Sequence, residues 1–201
     1  MIVILDWQHQ GKPRRDDKGA AYDVDGDGEI DHEIELTHKY ITSAKAKLED
    51  KGHFVHILES GWYGDRQTMA NQIAKGNQGV HVAYIACHVN AGGGNYGSVF
   101  HDIRSVGGKN LAAEVGTALR LQFSSILARV ITPGTSVTTW ANAHSTIKGI
   151  WKGPGNISGV CFEPCFMDNP KHSSMLTDDG LCRIGQALTD GVLNWAKEKS
   201  S

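Results

Sequence analysis

Residues 82–87 read Val-Ala-Tyr-Ile-Ala-Cys, six apolar positions in a row with no polar alternation. A strand that shows one face to water alternates, so an unbroken run needs cover on both faces. Six residues is strand length, far below the roughly 18 of a membrane span. The chain must therefore supply helices for both sides of a sheet. Ile34, Thr37, Ile41, Ala44 and Leu48 recur at helical spacing and close at Gly52, with Lys51 in the last turn. Leu111, Val115 and Leu119 mark a helix from Gly107 to about Phe123, and Leu181, Ile184, Leu188, Val192 and Trp195 form one stripe of a final helix. Asp65 is the expected cap of a short helix carrying Met69, Ile73 and Ala74, and Asp178 or Asp179 that of the final one. Between the helices lie strand-like runs at Ile2–Leu5, His53–Leu58, Val80–His88 and Gly159–Phe166. This order predicts an α/β three-layer sandwich with a mostly parallel central sheet flanked by helices. Residues 124–156 show no clear period, and no repeat or linker divides the chain, so residues 1–201 read as a single domain.

Charge narrows the function classes. Twenty Lys and Arg against 22 Asp and Glu leave a net charge of −2, which gives no electrostatic reason to expect nucleic acid or acidic lipid as partner. Four cysteines without a C-x-x-C pair argue against a disulfide scaffold and a zinc knuckle. The opening Met1-Ile-Val-Ile-Leu-Asp6 reads as a first strand and not as a signal peptide. Two excesses stand out: ten histidines, and six of the fourteen aspartates packed between Asp16 and Asp31.

In open parallel sheets chemistry collects where strands end. His9 follows the first strand, His88 ends the third, Glu163 lies near the end of the last, and Glu33 opens the first helix. Two imidazoles and a carboxylate are the ligand types of a catalytic zinc, and a second carboxylate can serve as acid–base. With so many histidines such a set also arises by chance. His32, His38, His53, His56, His81, His101, His144 and His172 read as ordinary capped or surface residues.

Several longer segments bear on that set. Val3-Ile-Leu-Asp-Trp-Gln-His9-Gln-Gly11 is a strand followed by a His-bearing turn, and Glu33 stands at a helix start that leads to Leu48 and Gly52. Further along come Arg66-Gln-Thr-Met-Ala70-Asn71, Ile85-Ala-Cys-His88-Val-Asn90-Ala91, Gly107-Gly-Lys-Asn-Leu-Ala112 and Val160-Cys-Phe-Glu163-Pro-Cys-Phe166-Met-Asp-Asn169-Pro170. In this order they resemble the zinc-dependent N-acetylmuramoyl-L-alanine amidases of bacterial autolysins and phage endolysins. The resemblance runs from Ile2 to Trp195. It implies zinc ligands His9, Glu33 and His88, Glu163 as catalytic acid–base, and cleavage of the amide between N-acetylmuramic acid and L-alanine in peptidoglycan. It also implies a monomer that waits in the host cytoplasm if phage-encoded and otherwise works at the cell wall. The chain departs from the family at Trp7-Gln8, Cys87 and Cys165, where Pro-Gly, Ser and Gly are usual. Glu35 is a rival to Glu33. A thiolate at Cys161 or Cys165 would compete for zinc if both shared a strand face with Glu163, although Pro164 interrupts the alternation and a buried, inert thiol is the plainer reading of all four cysteines.

The aspartates have their own pattern. Asp23, Asp25, Asp27 and Asp31 fall at positions 1, 3, 5 and 9 of an EF-hand-like loop, with Gly28 at position 6, the Glu29 carbonyl at 7 and Ile34 where a bidentate Glu belongs. The expectation is a structural calcium site in a loop inserted at about 16–31, with Asp16 or Asp17 replacing the missing ligand; a plain Asp- and Gly-rich turn is the alternative. Trp62, Tyr63, Tyr96, Trp140 and Trp151 could stack on sugar rings or simply pack loops. Two other functions remain open on the sequence: a zinc peptidase or amidohydrolase acting on another amide of the stem peptide, and a calcium-regulated wall-binding module without catalysis.

Overall fold

The computed structural model describes residues 1–11, 17–135 and 145–200. β1 (Ile2–Trp7) leads through the hairpin of β2 (Ala21–Tyr22) and β3 (Asp31–His32) into α1 (Glu33–Asp50). Next come β4 (Phe54–Leu58), α2 (Tyr63–Gly76), β5 (Val82–Cys87), β6 (Gly97–Asp102) and α3 (Val106–Gln122). The short β7 (Val130–Ile131) and β8 (Gly134–Thr135), then β9 (Ile157–Glu163), α4 (Ser173–Leu176) and α5 (Asp178–Ser200) complete the order. The main sheet runs β4-β1-β5-β9-β6-β7, with β8 also on β6. All its pairings are parallel except β6 with β9.

The apolar run at 82–87 is covered on both faces, as its composition requires. Ala83, Ile85 and Cys87 enter a core with residues of α1, α3 and α5, whereas Val82, Tyr84 and Ala86 enter a second core with Ala70 and Ala74 of α2 and with Ile147 and Ile150. All six side chains are fully buried. The expected three layers are therefore present. The α5 stripe from Leu181 to Trp195 is buried throughout. Among the described residues no helix is long and apolar enough to cross a membrane.

Several local expectations need correction. β6 carries no alternating pattern: it opens on Gly97 and ends on His101-Asp102, which are buried by neighbouring segments and not by a patterned face. Asp65 is not the cap of α2. It sits at the third helical position and accepts the backbone N–H of Trp62, so its carboxylate closes the first turn from inside. Met69 of the same helix is exposed, and Arg66 and Gln67 take the inward face with Ala70 and Ala74. The helix α5 is capped by Thr177, whose hydroxyl accepts Gly180 N–H at 3.1 Å, one residue before the two aspartates.

The α3–α5 contact depends on a missing side chain. A Cβ on Gly191 would lie 2.4 Å from Val115 Cα, a backbone atom that cannot swing aside. Gly191→Ala should therefore destabilise the fold. Alanine returns about 1 kcal/mol of helix propensity, but overpacking against backbone costs about 1–3 kcal/mol or more. A lowered urea midpoint is expected; a raised one would contradict this packing.

Candidate metal centre

Strand order decides which residues can meet. β1, β5 and β9 are neighbours in register, with Trp7 opposite Cys87 and Cys87 opposite Phe162. Their C-terminal ends thus deliver His9, His88 and Glu163 side by side. His9 has φ of +69°, the only non-glycine residue with positive φ among the described residues. Turning a non-glycine residue this way costs free energy, and the surrounding contacts must hold it there.

Those contacts start at Arg66, buried with 0% exposure beside an equally buried Asp6. Its guanidinium donates to Asp6 Oδ1, to the carbonyls of Trp7 (2.8 Å) and Leu58 (3.1 Å), to Gly61 (2.8 Å) and to Gln10. Trp7 and Gln10 flank the His9 turn, so α2 grips both sides of it. Asp6 Oδ2 accepts Tyr84 OH and Gln8 Nε2. Burial raises the Asp6 carboxyl above its usual range, and Arg66 and Tyr84 oppose that shift. Trp7 donates its indole N–H to Ile34 O at 2.9 Å and stacks on His38, tying the strand end to the start of α1.

Glu33 reaches the site from the first turn of α1. The helix has no side-chain cap; Ala20 O accepts Glu33 N–H (2.8 Å) and Lys18 O accepts Ile34 N–H (3.1 Å). These backbone acceptors satisfy donors that every helix start leaves open. Gly19 is obligatory in this approach: its φ is +77° and a Cβ would lie 2.5 Å from Glu33 Oε2. Glu33 Oε1 lies 2.8 Å from His88 Nδ1 and accepts Val89 N–H at 3.1 Å, while Oε2 lies 3.3 Å from His9 Nε2 and accepts Ala20 N–H at 3.0 Å. Burial alone would raise the Glu33 carboxyl, but the hydrogen bonds and charge of His88 and His9 outweigh it and hold it well below the usual range.

One ligand atom each from His9, Glu33 and His88 lies within 4.8 Å of the others, the expected metal set. Glu35 is exposed and outside it. Asp17 does not reach toward the aspartate loop. Its Oδ1 is 2.7 Å from His9 Nδ1 and fixes the imidazole with Nε2 toward Glu33. A carboxylate behind a histidine is a recurrent support for a metal ligand, and no local pattern in the chain marks it.

Glu163 ends β9 and is half-buried beside the set. Asn90, two residues beyond His88, donates to its Oε2, and Ser98 Oγ lies 3.4 Å from the same oxygen. Burial raises the Glu163 carboxyl, with the negative charge of Glu33 adding and His88 opposing. Cys161 and Cys165 do not form the shared face considered above. Cys161 packs toward α2 with its Sγ 4.0 Å from Glu163, whereas Cys165, past Pro164, packs into the core under α1, α3 and α5. Burial pushes the Cys161 and Cys87 thiols well up and Cys165 up to about 12, so all three stay protonated. Cys182 departs from the expected burial and is exposed on α5.

In the aspartate loop, Asp23, Asp25 and Asp27 bring their oxygens within the same 4.8 Å. Their carboxylates also accept loop N–H groups, as with Gly26 on Asp23 (2.7 Å) and Glu29 on Asp27 (2.8 Å). Glu29 and Asp31 contribute no side chain to this group; Asp31 accepts Val24 N–H at 3.2 Å instead. Of the eight remaining histidines, His172 is fully buried and takes the Phe166 N–H at 3.0 Å, a core role in place of the surface one expected. Trp62 and Trp151 are partly exposed, and Tyr96 packs edge-on against Phe166. Asp16, Trp140 and His144 lie outside the described residues.

No family model and no curated protein matches this chain. Solved structures do match its fold. The N-acetylmuramoyl-L-alanine amidase from Clostridium difficile 630 is 18% identical with a TM-score of 0.72, covering 98% of this chain and 97% of that one. The catalytic domain of CwlV, an N-acetylmuramoyl-L-alanine amidase from Bacillus (Paenibacillus) polymyxa var. colistinus, is 15% identical with a TM-score of 0.70 and 98% coverage of both chains. The catalytic domain of the CD27L endolysin targeting Clostridia difficile is 15% identical with a TM-score of 0.62, covering 96% and 97%. Against the larger Cwp6 from Clostridium difficile (18%, TM-score 0.72) the chain spans 29% of that protein's length.

Removing the Arg66 charge tests the scaffold beneath His9. Arg66→Leu leaves Asp6 buried without its cation and should cost about 3–5 kcal/mol in urea unfolding. A loss below about 1 kcal/mol would contradict the role given to this pair.

Proposed function

We propose that the chain is a zinc-dependent N-acetylmuramoyl-L-alanine amidase, a catalytic domain that acts as an endolysin or autolysin on peptidoglycan. The observation that carries this reading is the convergence of His9, Glu33 and His88 beside Glu163 at three adjacent strand ends, in a fold shared with amidases. The donor set fits zinc: two imidazole nitrogens and one carboxylate oxygen, with one imidazole supported from behind by Asp17. A zinc ion held there would supply Lewis acidity, lowering the pKa of water toward ~7 and polarising the lactyl carbonyl.

The chain's own groups account for the proton traffic. Glu163 takes a proton from the attacking water as its oxygen bonds to the carbonyl carbon. Its raised pKa favours holding that proton until the carbon–nitrogen bond breaks. The proton then passes to the departing L-alanine nitrogen, leaving a free amine and a lactyl carboxylic acid that ionises to solvent. Asn90 and Ser98 fix Oε2 of Glu163 during both transfers. Tyr40 OH donates to His88 O at 2.9 Å and steadies the strand end from the α1 side.

We also infer a calcium ion at Asp23, Asp25 and Asp27. Three converging carboxylates repel unless a cation compensates them. The loop closes the β2–β3 hairpin, where Ala21 pairs with His32 and Tyr22 with Asp31, immediately before Glu33. A cation here would stiffen the lead into the metal ligand.

Three outcomes test these assignments. Glu163→Gln should retain zinc and lose about 10²–10⁴ of the rate, the usual share of a general acid–base; wild type should release L-alanine amino termini from purified peptidoglycan without new reducing ends. Cleavage within the stem peptide, or full activity of the variant, would overturn the assignment. Asp17→Asn should weaken zinc about 10–100-fold in a chelator competition, and unchanged affinity would remove Asp17 from the site. Stripping calcium from zinc-replete protein should lower both melting temperature and activity; no change in either would exclude the calcium site.

A further inference from the structure

On the α2 side of the sheet, Arg104, Lys148 and Lys152 line a cleft of about 520 Å³ with Gly64, Gln67, Thr68 and Asn71. Among the described residues no carboxylate lines it, in a chain whose net charge is −2. Lys148 and Lys152 are exposed and enter no ion pair among the described residues. The cleft is held in shape before any ligand arrives. Gln67 accepts Gly149 N–H and donates to Ser145 O, both at 2.5 Å, and Asn71 Nδ2 donates to Gly149 O at 3.1 Å. Ile150 is buried beneath the two lysines. Arg104 is fixed from behind by Asp102, through Nε (2.8 Å) and Nη2 (2.6 Å), and lies 3.8 Å over the Trp151 ring.

The Arg104 end of the cleft lies away from Glu163, while Gly64 and Gln67 at its other end stand beside Arg66 in the first turns of α2. Ser98 of β6 pairs with Glu163, and β6 then runs antiparallel to β9 toward the start of that strand. Asp102 is four residues further along, about 13 Å at 3.3 Å per residue, and Arg104 follows it. The donors also indicate the ligand. The planar fork of Arg104, the part that matches a carboxylate in two bonds, is already given to Asp102. Two lysine point charges and the Thr68 hydroxyl remain, a set suited to phosphate oxygens. The net charge of −2 gives no electrostatic reason to expect nucleic acid, and the Trp151 ring is covered by the Arg104 guanidinium.

We propose that this cleft binds the phosphodiester groups of an anionic glycopolymer that accompanies peptidoglycan, as an anchoring site distinct from the residues assigned to catalysis. The choice of polymer rests on the amidase reading; the phosphate site itself does not. Lys148 and Lys152 rise from a segment already held by Gln67 and Asn71, so only their side chains are ordered on binding, and charge gathered in a cleft raises the local concentration of an opposite charge. The anchor gives a protein of slightly negative charge a hold on an anionic wall.

The probe is poly(glycerol phosphate), titrated calorimetrically into the full chain at low and physiological salt. Wild type should bind, more weakly at high salt. Lys148→Glu/Lys152→Glu should lose about tenfold or more of that affinity with an unchanged melting temperature, because both side chains are exposed. It should also cleave a small soluble muropeptide at the wild-type rate, yet release fragments more slowly from walls that carry the polymer and normally from walls stripped of it. Glu33→Gln should bind the polymer like wild type, which keeps failure of the anchor distinct from failure of the amidase reading. Absence of binding by wild type, equal binding by the double variant, or tighter binding of duplex DNA than of the polymer would each overturn the proposal.

Discussion

The buried pairing of Arg66 with Asp6 underlies the candidate metal centre, because it sets the shape of the turn that presents His9. An ion pair with both partners at 0% exposure is stabilising only when the remaining donors and acceptors are also met. Here they are: the guanidinium reaches four carbonyls around the turn, and Asp6 takes the hydroxyl of Tyr84 and the amide of Gln8. The network joins α2, β1, β4 and β5 at one end of the sheet. It explains how a non-glycine residue is kept at φ +69° one strand away from His88.

Around that turn, charge and backbone act together. Glu33 is drawn between two imidazoles, and the same segment that carries Asp17 closes the first turn of α1 with its backbone carbonyls. Residues 17–32 are thus a structural part of the candidate site. They orient one histidine through Asp17, allow Glu33 to approach through Gly19, and end in a hairpin that abuts the helix. On the other side, Gly92 and Gly93 donate to Asp168 and Asn169 donates to Gly94 O, which anchors the loop after His88 and keeps Asn90 on Glu163.

Much of this was legible in the residues, for physical reasons that also mark where legibility ends. The run at 82–87 had to be a doubly covered strand, and the α5 stripe had to face a core, because burial of apolar area is what periodicity records. His9, Glu33, His88 and Glu163 could be placed at element ends for the same reason, and the ordered motifs singled them out from ten histidines. β6 escaped notice because its neighbours bury it irrespective of any pattern of its own. Asp17 escaped because its partner is eight residues away across an irregular turn, a spacing no local rule describes. Asp65 and Thr177 show the limit of cap reading: carboxylates near a helix start suit its dipole without being its cap. Cys182 shows that residue type alone does not decide burial.

We propose that these four side chains form a zinc hydrolase site supported by Asp17 and Arg66. The most direct measurement is an anomalous difference map from crystals of the zinc-loaded protein, collected on both sides of the zinc edge. The account predicts a single edge-dependent peak bonded to His9 Nε2, His88 Nδ1 and a Glu33 oxygen, with Glu163 facing it but not bound. A peak at other residues, or an active protein with no peak between His9 and His88, would contradict it.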